Sequence, residues 1–167
     1  MTDFILVNPA LCIGCRTCEI ACVMAHPTSD ALSPARFAPR LTVTRLSRIN
    51  APVMCRQCEN APCVAACPTA ALTMGECSVE ANATRCIGCK SCIVACPFGC
   101  IAIQAGEKEE SRPVEIVKCD LCASHQEGPA CVAVCPTRAL KKVTAAELDS
   151  EKQQRMKVTA AGSFYTL

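Results

Sequence analysis

The chain has 167 residues and a formal net charge of +2, and it contains 18 cysteines, four phenylalanines, one tyrosine and no tryptophan. This length fits one or two domains, and so small a charge with scattered basic residues gives no sign of nucleic-acid binding. A hydrophobic core built from so few aromatic residues is thin, so the cysteines must account for much of the fold.

Short strands and helical turns alternate with cysteine-rich loops in the predicted secondary structure. In chain order, we expect a strand at residues 4–7, a helical turn at 18–26, a surface loop at 28–39, a strand at 41–46 followed directly by cysteines, a helical turn from Pro62, a hairpin at 72–84, strands at 100–103, 114–117 and 139–143 with a charged turn at 106–112, a helix at 145–157 and a tail at 158–167. The pattern predicts an α+β fold.

Sixteen of the cysteines form four copies of one motif. Motif 3 has the spacing C-x2-C-x2-C-x3-C-P and consists of Cys86, Cys89, Cys92 and Cys96. Motif 1 has the same spacing without the proline and consists of Cys12, Cys15, Cys18 and Cys22. Motif 2 is C-x2-C-x4-C-x3-C-P, with Cys55, Cys58, Cys63 and Cys67, and motif 4 is C-x2-C-x8-C-x3-C-P, with Cys119, Cys122, Cys131 and Cys135. The repetition extends beyond the cysteines, since residues 68–72 (PTAAL) match residues 136–140 (PTRAL).

This spacing is typical of proteins that hold [4Fe–4S] clusters. Three thiolates two residues apart wrap one cluster, and the fourth points towards a neighbour, so that in two-cluster ferredoxins it ligates the other cluster. Four quartets are the number needed for four clusters. The clusters would also serve as the core, and we therefore expect the metal-free chain to be largely unfolded.

Two other uses of the cysteines fit less well. A disulfide framework needs an oxidising compartment, but residues 1–8 lack the basic region, apolar stretch and cleavage site of a signal peptide. Structural zinc sites usually present two cysteine pairs rather than three cysteines in close succession. No run approaches the ~20 apolar residues of a membrane span, and we expect a cytoplasmic protein without membrane insertion.

Several residues beside the motifs have alternative interpretations. Cys100 stands where the repeats have alanine and is interpreted as a small buried residue, and Cys77 as an incidental residue in the hairpin. His26 and His125 are conceivable ligands, although every quartet is complete without them. A cation beside a ligand could raise a cluster's reduction potential, or could simply be a solvated surface charge; the candidates are Arg16, Arg56, Lys90 and Lys118.

Residues 3–145 resemble the four-cluster electron-transfer subunits of molybdenum and tungsten oxidoreductases, above all the small iron–sulfur proteins associated with formate dehydrogenase and formate hydrogenlyase. The resemblance is carried by the four motifs, including C-I-G-C-R-T-C from Cys12, C-R-Q-C-E-N-A-P-C from Cys55, C-I-G-C-K-S-C from Cys86, and K-C-D-L-C from Lys118. The proline missing after Cys22 is also usual in that family.

The resemblance implies two nested ferredoxin-like halves that hold two clusters each. The inner half would be residues 41–104 and the outer half residues 1–40 with 105–145, followed by a C-terminal helix and tail at 146–167. Four ligand sets are implied. In the inner half, set A is Cys55, Cys58, Cys63 and Cys96, and set B is Cys67, Cys86, Cys89 and Cys92. In the outer half, set C is Cys12, Cys15, Cys18 and Cys135, and set D is Cys22, Cys119, Cys122 and Cys131.

The function that follows is electron transfer through four [4Fe–4S] clusters within a larger redox enzyme. The chain has no visible site for substrate chemistry, since no G-x-G-x-x-G fingerprint, Walker loop or activated nucleophile is present. The resemblance implies a large catalytic partner, either a molybdopterin subunit of the formate dehydrogenase type or a hydrogenase module. A free polyferredoxin that serves several enzymes and a factor that assembles clusters or cofactors remain as alternatives.

Overall fold

The computed structural model describes residues 2–26, 32–34, 36–105 and 114–162. The elements follow the order β1 (Phe4–Val7), α1 (Thr17–Ala25), β2 (Leu41–Arg45), β3 (Asn50–Met54), α2 (Pro62–Ala65), β4 (Leu72–Met74), β5 (Val79–Ala81), a 3₁₀ turn (Ala83–Arg85), α3 (Ser91–Ala95), β6 (Ala102–Ala105), β7 (Val114–Val117), α4 (Ala130–Ala133), β8 (Leu140–Val143) and α5 (Ala145–Ala161). Short strands and helices are interspersed along the chain, as the predicted α+β class requires.

The strands described here pair as four separate two-stranded antiparallel sheets. Three pairs join strands that follow one another, namely β2 with β3, β4 with β5, and β6 with β7. The fourth pair joins β1 to β8, with Phe4 opposite Val143 and Val7 opposite Leu140. An ion pair of 3.0 Å between Lys142 and Asp3 lies beside this pairing. Segments from the two ends of the sequence thereby lie together.

Each motif places its third cysteine in a short helix. In motifs 1 and 3 the chain enters that helix through two residues with positive φ, which are Gly14 and Arg16 in motif 1 and Gly88 and Lys90 in motif 3. Glycine adopts this conformation at no steric cost, and it turns the backbone sharply between the first two cysteines. Helix α1 of motif 1 packs against α4 of motif 4, and α2 of motif 2 packs against α3 of motif 3.

Two small hydrophobic cores lie behind the cysteines. The first contains buried aliphatic side chains from β1, β2, β3 and β8, including Ile5, Val43 and Leu140, together with cysteines of motifs 1 and 4 and Cys55. The second contains Leu72, Val79 and neighbouring residues, together with cysteines of motifs 2 and 3. The sulfur atoms are therefore part of both cores, and each core draws on motifs that are separated in sequence.

The structure corrects three predicted boundaries. The prediction that motif 2 follows β2 directly is wrong, because strand β3 (Asn50–Met54) lies between them, with Pro52 opposite Val43. The strand expected at 100–103 is β6 and spans Ala102–Ala105, and the last helix continues to Ala161 rather than ending at residue 157. The predicted charged turn, part of the loop at 28–39 and the end of the tail lie outside the described residues.

Helix α5 contributes no buried residue to either core. Its first turn is closed by a capping box, in which Thr144 accepts a hydrogen bond from the Glu147 N–H and the Glu147 carboxylate accepts one from the Thr144 N–H. Within the part of the chain that the structure describes, no helix has the length and apolar character to cross a membrane.

The packing of β1 predicts that alanine substitutions at two neighbouring positions have very different effects on the free energy of unfolding. Ile5 is 1% exposed within the first core, whereas Leu6 is 42% exposed on the other face of the strand. We expect Ile5→Ala to lower the free energy of unfolding by about 2–5 kcal/mol, because it leaves a cavity. Leu6→Ala should change it by about 0.5 kcal/mol. Anaerobic thermal unfolding of both variants measures the difference, and equal midpoints would contradict this account of the core.

Candidate metal centres

Three cavities of similar size are each lined by four cysteines. The first has about 310 Å³ of empty space, part of it open to solvent, and contains the four residues of set A. The second has about 290 Å³ and contains set B, and the third has about 330 Å³ and contains set C. Cysteines from two different motifs meet in every case, as when Cys96 of motif 3 joins three cysteines of motif 2.

The cysteines of set D also lie together, and all four are buried. The thiol of Cys131 shows their proximity most clearly. Burial raises its pKa, and so do the negative charges of the thiolates of Cys119, Cys22 and Cys122. A bound metal would deprotonate these thiols outright and hold the resulting thiolates together.

Backbone and hydroxyl donors surround two equivalent sulfur atoms, those of Cys67 and Cys135. The N–H of Ala71 donates to Cys67 Sγ at 3.2 Å, and that of Ala139 donates to Cys135 Sγ at 3.3 Å. Threonine hydroxyls lie 3.7 and 3.8 Å from the same two atoms. Burial raises the pKa of each thiol, but these donors outweigh it and hold the pKa below its usual value. The matching segments 68–72 and 136–140 thus form equivalent hydrogen bonds to sulfur.

The two exposed cysteines of the motifs, Cys15 and Cys89, have a similar arrangement at their sulfur atoms. The Thr17 hydroxyl lies 3.4 Å from Cys15 Sγ, and the Ser91 hydroxyl lies 3.5 Å from Cys89 Sγ. These hydroxyl groups lower the pKa of both thiols. The other motif cysteines are buried or half-buried, so sets B and C each reach the surface through one residue.

An ion-pair network flanks set D. Asp120 accepts hydrogen bonds from Arg40 at 2.5 Å, from His26 Nε2 at 3.1 Å and from the Cys122 N–H at 3.0 Å. Burial opposes ionisation of both side chains of the His26–Asp120 pair, but their mutual contact raises the pKa of His26 to about 12 and lowers that of Asp120. Arg40 also donates its backbone N–H to Cys22 Sγ at 3.3 Å. Sequence reasoning missed this network, whose members are far apart in the chain.

The cations beside the motifs differ in environment, which the sequence could not show. Arg16 pairs with Glu19 and is half exposed, Arg56 lies 6.0 Å from the Phe98 ring centroid on the surface, and Lys90 is exposed. Lys118 is 2% exposed and therefore buried. Gln57 is a second buried polar residue, at 1% exposure, and nothing in its sequence context singled it out.

The two remaining cysteines lie outside the four sets. Cys77 is exposed in the turn between β4 and β5, where the sequence placed it. Cys100 is half-buried, and burial together with the neighbouring Cys96 raises its pKa to about 12. A thiol with so high a pKa is a poor nucleophile, in agreement with a packing role.

The donor chemistry of sets A, B and C fits iron–sulfur clusters. Among the described residues that line their three cavities are thiols, apolar side chains, hydroxyls and cations, and no carboxylate or imidazole is present. Soft thiolate ligands favour iron–sulfur clusters or zinc over hard cations. Hydrogen bonds to sulfur, as found at Cys67 and Cys135, are the contacts that adjust cluster potentials.

Comparison with protein families decides between these metals. The family model described as "4Fe-4S dicluster domain" matches residues 47–144, and that described as "4Fe-4S binding domain" matches residues 9–25. The chain belongs to the 4Fe-4S dicluster family. Its cofactors are therefore iron–sulfur clusters.

Relatives of similar length are named as an electron transport protein or as components of hydrogenase and formate hydrogenlyase. The electron transport protein HydN of Escherichia coli K12 is 40% identical, with 96% of this chain and 98% of HydN covered. Formate hydrogenlyase subunit 2 of the same strain is 34% identical, with coverage of 95% and 90%, and hydrogenase-4 component A is 33% identical, with coverage of 96% and 92%. These relatives confirm the resemblance, inferred from the cysteine motifs, to iron–sulfur electron-transfer subunits of the formate hydrogenlyase type.

Removal of the clusters should unfold this 4Fe-4S protein. Both cores contain cysteines as structural members, so the metal-free chain loses the cross-links that clusters would provide between motifs separated in sequence. We expect trypsin to digest the metal-free form rapidly and the loaded form slowly. Electrophoresis of timed digests under anaerobic conditions measures both rates, and equal resistance of the two forms would sink this expectation.

Proposed function

We propose that the chain transfers electrons through four [4Fe–4S] clusters as the iron–sulfur subunit of a larger oxidoreductase. The observation that carries the proposal is that twelve of the sixteen motif cysteines line three cavities, four to each, while the remaining four are all buried. The clusters supply one-electron redox chemistry when bound. The protein's part is to ligate them through thiolates, to exclude water and to place hydrogen-bond donors against sulfur.

The ligand sets A to D are the assignment that we propose for the clusters. Motifs 2 and 3 would form the inner half and motifs 1 and 4 the outer half, as in two nested ferredoxin-like units. Packing of α2 against α3 and of α1 against α4 supports this division, and the pairing of β1 with β8 supports an outer half built from both ends of the sequence.

The sets would form a linear series in the order B, A, D, C. Sets B and A share motifs 2 and 3, and sets D and C share motifs 1 and 4. The contact between the halves is supported by Cys55 of set A, whose thiolate charge raises the pKa of Cys119 of set D. Sets B and C would then be the ends of the series, and each includes one of the exposed motif cysteines, Cys89 and Cys15.

The ends of the series are where redox partners would dock. Ile87 beside Cys89 is 67% exposed, and Ile13 beside Cys15 is 64% exposed. Each is an apolar side chain next to the cysteine that brings a cluster nearest to solvent. The names of the relatives support a catalytic partner of the hydrogenase or formate hydrogenlyase type, and a molybdopterin formate dehydrogenase subunit is the other partner we propose. A cytoplasmic location is part of the same proposal.

A pair of serine substitutions tests the ligand assignment. Cys89→Ser should remove one cluster and lower the iron content by about a quarter, because a thiolate ligand of set B is lost. Cys77→Ser is the matched control, since Cys77 is equally exposed but lies outside the four sets. Iron analysis and EPR spectra of the reduced proteins measure the effect. Full iron content and an unchanged spectrum in Cys89→Ser would refute the assignment.

Anaerobic affinity purification at native abundance tests the subunit role. We expect a large catalytic redox subunit to remain bound in stoichiometric amount, identified by mass spectrometry. Recovery of a brown monomer with full iron content would contradict the partner and favour a free polyferredoxin. Clusters that transfer readily to an iron-free acceptor protein would instead indicate an assembly factor.

A further inference from the structure

The side chain of Lys118 lies between two cysteine sets. Its Nζ donates a hydrogen bond of 2.6 Å to the carbonyl of Cys119 and lies 3.9 Å from Cys55 Sγ. Cys119 belongs to set D and Cys55 to set A, so one ammonium group contacts both sides of the junction between the two halves. The side chain is buried, and water does not screen its charge as it would at the surface.

A buried ammonium group needs negative charge nearby. Within the described residues, Lys118 forms no ion pair with a carboxylate. An all-thiolate [4Fe–4S] cluster carries a net charge of about −2 when oxidised and becomes more negative on reduction. Lys118 therefore fits a position between two such groups, and its charge favours their reduced forms.

Gln57 fixes the geometry of this junction. Its Nε2 donates to the Cys119 carbonyl at 2.9 Å, and its Oε1 accepts from the Val79 N–H at 2.9 Å. Its backbone N–H lies 3.5 Å from Cys55 Sγ. The carbonyl that anchors Lys118 is thus held by a second buried donor, and the ammonium group cannot leave the junction without breaking a buried hydrogen bond.

We propose that Lys118 raises the reduction potentials of the clusters in sets A and D, through its contacts with Cys55 and Cys119 at the junction between them. This inference rests on the proposed function. One electron from a reduced partner, or from dithionite in the test below, reduces one cluster by one electron and oxidises the donor by one. No covalent bond or proton is involved, and the charge of Lys118 stabilises the electron when it resides in set A or set D.

An EPR-monitored redox titration of the purified, cluster-loaded protein tests the inference. We expect Lys118→Met to lower two of the four potentials, each by at least the equivalent of a tenfold change in the equilibrium constant for one-electron reduction, which is about 59 mV. Lys118→Arg retains the charge and should stay close to the unmodified protein. Unchanged potentials in Lys118→Met, or equal shifts in both variants, would overturn the inference.

Arg85→Met is the matched control. Arg85 precedes Cys86 as Lys118 precedes Cys119, but it is exposed, so loss of its charge should shift the potentials much less. If Lys118→Met loses iron, a redox titration of the unmodified protein at low and at high salt tests the inference instead. A buried cation predicts that salt leaves two of the four potentials in place, whereas a comparable shift of all four at high salt contradicts it. An unmodified protein that lacks four clusters would instead refute the proposed function.

Discussion

Repulsion among thiolates that share a small volume is the constraint on which the rest of this structure depends. Both cores are partly built from sulfur, and the aliphatic side chains around them are few. Without a cation the thiols of Cys18, Cys119 and Cys131 resist ionisation, because burial and neighbouring thiolates raise their pKa values. Iron reverses this relation, since it converts mutual repulsion into shared coordination. The metal groups thus replace the aromatic core that the composition lacks.

The repeated motifs meet this constraint by two different local solutions. Motifs 1 and 3 enter the helix through glycine and a basic residue with positive φ, and they place a hydroxyl beside their second cysteine. Motifs 2 and 4 instead place a backbone N–H four residues beyond their last cysteine, at Ala71 and Ala139. Each hydrophobic core combines one motif of the first kind with one of the second, namely motifs 1 and 4 in the first core and motifs 3 and 2 in the second. Duplicated sequence therefore produces paired, complementary environments rather than four identical ones.

Much of the architecture could be predicted from sequence because cysteine spacing and repetition act locally. The predicted strands at 4–7 and 114–117 match β1 and β7, and the hairpin at 72–84 contains β4 and β5. Strand β3 was missed because Asn50, Ala51 and Pro52 have low strand propensity, and the pairing with β2 overrides it. The Asp120 network and Gln57 could not be found, because their contacts join residues distant in sequence.

The contrast between Lys118 and Arg85 shows what sequence position alone does not determine. Both precede the first cysteine of a motif, and both carry a positive charge. Lys118 directly follows β7, whose last two residues, Ile116 and Val117, are buried, so the strand carries the ammonium group inwards to the junction. Arg85 ends an exposed 3₁₀ turn, where water screens its charge. The two cations therefore differ in burial, which a count of charges near the motifs does not reveal.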